Sequence, residues 1–304
     1  MSAVRTTSRL GTIKSLTPRP LLNMADVSTR AFGLGTVANR PGPDFLIIGT
    51  KRGGTTSLFN YLMQHPGILG TFPRIRSRKS TNFFFADHPA SPYWHRSHFH
   101  TEGYRRLLET RLGYRPLGFE ASPYYIWDPR VAPIAAKLYP ELKAIVLLRD
   151  PVRRAWSHYQ ERVQNGVEPL SFTQALQVED QRLSNEVDRM MANATYHSTA
   201  HDWYSYRTRG EYLAQIVNWR RHFPPEQLLI LRSESLYTNT QAVMDDTCAF
   251  LDIPSYELPH TTVFNATWRT REEMPPSDMS VLSRHFSSHK KLLEEYLKME
   301  FQWS

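Results

Sequence analysis

Residues 49–56, Gly49-Thr50-Lys51-Arg52-Gly53-Gly54-Thr55-Thr56, gather three glycines, two adjacent cations and a threonine pair in one short stretch. Glycine takes positive φ without steric cost, so such a loop can fold its backbone N–H groups closely around an anion. The threonine pair can cap a helix and bond a phosphate oxygen. A second set lies a hundred residues on, in Arg149-Asp150-Pro151-Val152-Arg153-Arg154-Ala155-Trp156-Ser157. Arg149 and Arg154 carry the planar fork that suits phosphate, and Ser157 adds a hydroxyl. Both sets point to a phosphate-rich ligand.

A loop that hydrolyses a Mg-bound triphosphate reads G-x-x-x-x-G-K-S/T. Gly49 and Gly54 keep that spacing, but Thr55 holds the place of the lysine, and the charge sits earlier at Lys51 and Arg52. The loop is therefore expected to hold something other than a metal-bound triphosphate.

The elements around these sets are those that place a phosphate at the positive end of a helix. Phe45-Leu46-Ile47-Ile48 reads as a buried parallel strand, and Leu58, Phe59, Leu62 and Met63 recur at helical spacing up to His65-Pro66. Leu142–Leu148 is a second buried strand running into Arg149, with Asp150 as N-cap and Pro151 at the first helical position. Arg149 thus stands at the carboxyl end of a parallel strand, where open α/β sheets bind ligands. Helices are expected at Tyr104–Leu112, Val131–Leu138, Glu211–Phe223, Thr240–Leu251 and Asp278–Leu297, and a strand at Gln227–Leu231. Gly118–Tyr125 reads as a strand end followed by a turn. Alternating strands and helices predict an α/β fold: a single P-loop-like three-layer domain with a central parallel sheet over residues 44–304. Residues 1–43 read as a loosely ordered arm, whose Arg-rich, Ser-rich, acid-poor start also has the composition of an organellar transit peptide.

The 304 residues carry a formal charge of +8, which favours an anionic ligand or surface. The basic residues are scattered and form no nucleic-acid-binding motif, so no nucleic-acid partner is expected. No apolar run reaches the ~18 residues of a membrane span. The single cysteine, Cys248, excludes an internal disulfide and a multi-cysteine metal site, and is consistent with a cytoplasmic setting. His95, His98 and His100 lie in an irregular stretch with no carboxylate pattern and read as a wet surface loop. No metal is expected.

Taken together, IIGTKRGGTTSL and VLLRDPVRRAWSHY resemble the two signature segments of sulfotransferases that use 3′-phosphoadenosine-5′-phosphosulfate (PAPS). The likeness is closest to the carbohydrate branch, with its heparan-sulfate-type and bacterial members, and runs over roughly residues 44–255. The resemblance implies that Lys51, Arg52, Gly53, Gly54, Thr55, Thr56 and Ser57 cradle the 5′-phosphosulfate. Arg52 then contacts the transferring sulfuryl group and Lys51 is an extra neighbouring cation. The second family pattern, R-D/N-P-x-x-R-x-x-S-x-Y, is matched by Arg149, Arg154, Ser157 and Tyr159, with Arg149 and Ser157 as the usual ligands of the 3′-phosphate. Arg269 and Arg271 are candidates for a basic loop that closes over that phosphate. The implied co-substrate is PAPS, the acceptor a carbohydrate, glycosylated or small molecule; oligomeric state is not legible.

On the acceptor side the chain departs from the family. Relatives often carry K-E-x-x-F-F, whose glutamate is the general base, whereas this chain reads Lys79-Ser80-Thr81-Asn82-Phe83-Phe84. Glu120, Asp87 and His88 are the candidates for the missing base. Two other readings compete: an ATP-dependent P-loop small-molecule kinase, against which the absent loop lysine counts, and a catalytically silent nucleotide-binding relative, which Ser80 keeps open.

Overall fold

The apolar runs expected as strands form the centre of a parallel sheet in the computed structural model, which describes residues 19–73, 78–85, 91–261 and 272–303. Strands β1 (Phe45–Gly49), β2 (Ile68–Leu69), β3 (Leu117–Ala121), β4 (Lys143–Leu148) and β5 (Leu228–Arg232) lie in the order β2-β3-β1-β4-β5, every pairing parallel. Parallel neighbours need crossover connections, and helices supply them. Successive strand residues face opposite ways. Phe45 and Ile47 accordingly join Leu58, Phe59, Leu62 and Met244 in one core, while Leu46 and Ile48 join Ala135, Ile216, Trp219 and Leu293 in another. Helices Thr55–Leu62 and Thr240–Phe250 cover the first face; Val131–Leu138, Tyr212–Arg220 and Pro276–Leu297 cover the second. This is the expected three-layer arrangement. A third core, with Val152, Phe172, Tyr206 and Phe286, anchors helix Pro151–Gln164.

β3 and β4 flank β1 on opposite sides, so the loops after β1 and β4 leave the sheet side by side. Such a crevice at the carboxyl ends of central strands is where open α/β sheets take their ligands. Among the described residues no helix is long and apolar enough to cross a membrane.

Three expectations need correction. Part of the segment read as a loose arm is a helix, Arg19–Gly35. The chain after it is fastened: Arg40 is buried, donates from Nε to Thr36 Oγ1 at 2.8 Å and lies 4.4 Å from the Phe72 ring centre. His95, His98 and His100 are buried, not wet. His95 sits between Tyr139 OH (2.8 Å) and Glu120 (3.1 Å), and burial brings His98 down to about 4. β2 and the short helix Pro92–Arg96 also interrupt the stretch expected to be irregular. Cys248 is buried in helix Thr240–Phe250, and burial lifts its thiol to about 11.

Candidate active site

The loop between β1 and helix Thr55–Leu62 is built tightly. Gly54 caps the helix at φ 93°, a left-handed conformation that favours glycine. A Cβ on Gly53 would lie 2.5 Å from Thr50 Oγ1 and 2.8 Å from the carbonyl oxygen of Leu147, so only hydrogen fits between the loop and β4. Arg52 itself is left-handed at φ 68°, a conformation uncommon for a non-glycine residue.

That backbone throws the two cations to different places. Arg52 Nε donates to Ser157 Oγ at 3.0 Å, and Arg149 Nη1 donates to the Arg52 carbonyl at 3.0 Å. The glycine-rich loop and the Arg-Asp-Pro helix are thereby joined into one site. Asp150 caps that helix through the N–H groups of Val152 (2.8 Å) and Arg153 (3.2 Å), with Pro151 in its first turn, as expected. Beside Arg149 and Ser157 opens a cavity of about 600 Å³, walled also by Trp156, Met274 and Met279.

Lys51 turns instead into the interior and is 4% exposed, its Nζ 3.3 Å from Tyr124 OH and 3.5 Å from Glu161 Oε2. Burial first, then the charges of Arg209 and Arg162, outweigh Glu161 and Asp202 and bring the ammonium down to about 7. Glu161 is pulled the other way. Burial pushes its carboxyl up, but Lys51, Arg162 and Arg52 more than offset this and hold it below the usual carboxylate range. Its Oε2 is buried and accepts no hydrogen bond among the described residues. An aromatic wall stands alongside: Phe85 stacks on Tyr124 at 4.8 Å, and His197 meets Phe85 edge-on at 4.7 Å.

Lys79 completes the loop. Its Nζ donates to Thr55 Oγ1 at 2.8 Å and Thr56 Oγ1 at 2.9 Å, and burial brings it down to about 8. Sequence reasoning passed over this lysine, although it opens the segment compared with K-E-x-x-F-F. Glu161 was also missed; its one signal is a carboxylate one helical turn past Ser157.

The structure separates other expected site residues from the crevice. Glu120 is wholly buried in β3, with Oε2 accepting from the Thr81 N–H (2.5 Å) and Oε1 engaged by His95 Nε2 (3.1 Å) and Tyr125 OH (2.9 Å). Burial raises it, but the bonds and charge of His95 and the Thr81 bonds prevail and keep it ionised below the usual range. A carboxylate so enclosed fixes the 79–82 segment to the sheet, with both oxygens engaged by Thr81, His95 and Tyr125. Arg154 is also fully buried, its Nη2 bonded to the Tyr206 carbonyl, so it braces the helix and does not line the cavity. Ser57 is fully buried in the first turn of its helix. Asp87, His88, Arg269 and Arg271 lie outside the described residues.

Three cations and the N-terminus of a helix converge on one loop, and an arginine–serine pair lies beside a cavity. Such a site can hold a ligand with two separate phosphate groups. Comparison with known proteins identifies the family. A family model described as a sulfotransferase domain matches residues 42–289. Human bifunctional heparan sulfate N-deacetylase/N-sulfotransferase 3 is 27% identical over 237 residues, covering 74% of this chain but 24% of that protein. A membrane-associated sulfotransferase of Dictyostelium discoideum is 25% identical over 326 residues, covering 86% of this chain and 66% of its own length. The chain thus spans about a quarter of the human relative and just under two thirds of the other. The solved structure of a sulfotransferase from Alicyclobacillus acidocaldarius superposes with a TM-score of 0.64 at 27% identity, covering 86% of this chain and 98% of that one. With a sulfotransferase-domain model matching residues 42–289, well over half of its length, the chain belongs to the sulfotransferase family.

Proposed function

We propose that this chain moves the sulfuryl group of PAPS to a hydroxyl or amine of a carbohydrate or other small acceptor by in-line displacement. The acceptor atom bonds to sulfur as the bond from sulfur to the 5′-phosphate oxygen breaks, and 3′,5′-adenosine bisphosphate leaves. The observation that carries this reading is the Arg52–Ser157 bond at 3.0 Å, which couples the 5′ loop to the residues expected at the 3′-phosphate. Negative charge grows on the leaving bridge oxygen, and preorganised donors aimed at it lower the barrier. Arg52, Lys79 and the loop N–H groups are those donors, and Thr55 and Thr56 hold Lys79 in place.

Lys51 and Glu161 supply the proton transfer. Lys51 pairs with Glu161 at 3.5 Å, and an anionic donor would compete for that lysine and withdraw its charge from Glu161. Burial then raises the carboxyl toward the range where a general base works best, and its Oε2, which accepts no hydrogen bond among the described residues, takes the acceptor proton. The wall of Phe85, Tyr124 and His197 offers ring faces for a sugar. A reducing, cytoplasmic setting belongs to the same proposal, supported by the single buried thiol.

The test is transfer of labelled sulfur from PAPS to a panel of amino and hydroxyl sugars. Arg52→Ala is expected to lower kcat by about 10²–10³-fold while 3′,5′-adenosine bisphosphate still binds. A variant that keeps the wild-type rate contradicts the assignment.

A further inference from the structure

Away from the crevice, two histidines and a glutamate meet between helices Tyr212–Arg220 and Pro276–Leu297. His285 and His289 stand four residues apart, so one turn stacks them on the same helix face. Their rings lie 4.7 Å apart at 37°. Opposite them, Glu211 occupies the N-cap of the facing helix but makes no capping bond. Its Oε1 lies 2.9 Å from His285 Nε2 and 4.0 Å from His289 Nε2, and one ligand atom from each residue falls within 4.8 Å of the others.

A hydrogen bond explains the first contact and not the second. At 4.0 Å His289 Nε2 is beyond hydrogen-bonding reach of the carboxylate, yet it points at the same oxygen. Ligand atoms around a tetrahedral zinc ion, each about 2.0–2.1 Å from the metal, sit about 3.3 Å from one another. The two Glu211 distances bracket that spacing, and the set, whose atoms lie within 4.8 Å of one another, must draw together to about 3.3 Å to hold one ion. All three residues are partly exposed, which leaves an entry path and room for water in a fourth position.

We propose that Glu211, His285 and His289 form a site for a divalent transition metal, with zinc the ion best suited to two imidazoles and a carboxylate. The site is not part of the transfer chemistry. It acts as a clamp. The helix that carries both histidines begins at Pro276 and lines the cavity beside Arg149 and Ser157 with Met279. Glu211 is followed by Tyr212, whose hydroxyl donates to the Arg149 carbonyl at 2.8 Å. An ion between the two helices would fix that wall of the crevice.

The test is calorimetric titration of the untagged, chelator-treated full chain with zinc chloride, alongside thermal unfolding. One ion per chain is expected, with the melting temperature raised by about 4 °C at roughly 100 times Kd. His285→Gln with His289→Gln should abolish both effects. Glu211→Gln keeps the shape of the side chain and its bond to His285 while removing the anionic ligand, and should weaken binding at least about 10-fold. Cobalt(II) should show visible absorption bands that the double variant lacks. Absence of zinc binding in the wild-type chain, or equal binding by the double variant, would overturn the proposal and leave a plain His–Glu pair.

Discussion

The proposed engagement of Lys51 by the donor would make binding sensitive to pH in a direction opposite to that of the ligand. The Lys51 ammonium is brought down to about 7 by burial and by Arg209, so the free lysine is charged below that pH and neutral above it. On that proposal an anionic donor binds the charged form, and binding therefore takes up a proton when the free lysine has lost one. The protonated fraction falls from about one half at pH 7 to about 1% at pH 9, which weakens apparent affinity about 50-fold, or about 2 kcal/mol. The ligand cannot cause this loss, because phosphate second ionisations near 6 are essentially complete by pH 7 and only strengthen binding as they occur. Lys79, brought down to about 8, titrates in the same window, so the comparison must be with Lys51→Met. The assay is calorimetric titration with 3′,5′-adenosine bisphosphate at pH 7, 8 and 9, in two buffers of different ionisation enthalpy. Wild type should lose about 50-fold more affinity than the variant across that range, and at pH 8 take up about 0.9 more protons per ligand. Equal pH slopes for the two proteins would refute the linkage and the placement of Lys51 at the donor.

Two further outcomes follow from the geometry. Glu120→Ala strands His95, Tyr125 and the Thr81 N–H in a fully buried place, and should lower stability by about 2–5 kcal/mol in urea denaturation. A stable variant whose defect is confined to kcat would instead restore Glu120 as a base. Gly53→Ala forces a Cβ within 2.8 Å of the Leu147 carbonyl, so the loop must shift away from β4; nucleotide affinity should fall at least about 10-fold with the far-ultraviolet circular dichroism unchanged. Unaltered affinity would show that the loop tolerates displacement.

What was legible in the sequence is what short-range chemistry dictates. The glycine spacing, the Asp150 cap with Pro151 and the apolar runs of β1 and β4 each depend on neighbours within a few residues, and each stands where expected. β2 was invisible because two residues, Ile68 and Leu69, carry no periodicity. Helix Arg19–Gly35 was hidden because residues 1–43 as a whole mix its helix formers with many Ser, Thr, Gly and Pro. The functional misses share one cause: partners far apart in the chain. Lys79 gains meaning from Thr55 and Thr56, Glu161 from Lys51, and His285 from a glutamate 74 residues away. Glu120 and His95 failed in the other direction. His95 was read as a wet loop residue and Glu120 as a candidate base, and the bonds joining them to each other and to Tyr125, Tyr139 and Thr81 are what allow both to be buried.

The most direct measurement is a titration of the protein with 3′,5′-adenosine bisphosphate, set against AMP and ATP–Mg²⁺, in wild type and Arg149→Ala. Tight binding of the 3′-phosphorylated nucleotide alone is expected, weakened about 10–100-fold by Arg149→Ala through loss of a charge-assisted phosphate contact. Preference for ATP–Mg²⁺, or an Arg149→Ala variant that binds all three ligands as wild type does, would contradict a PAPS-dependent transfer site.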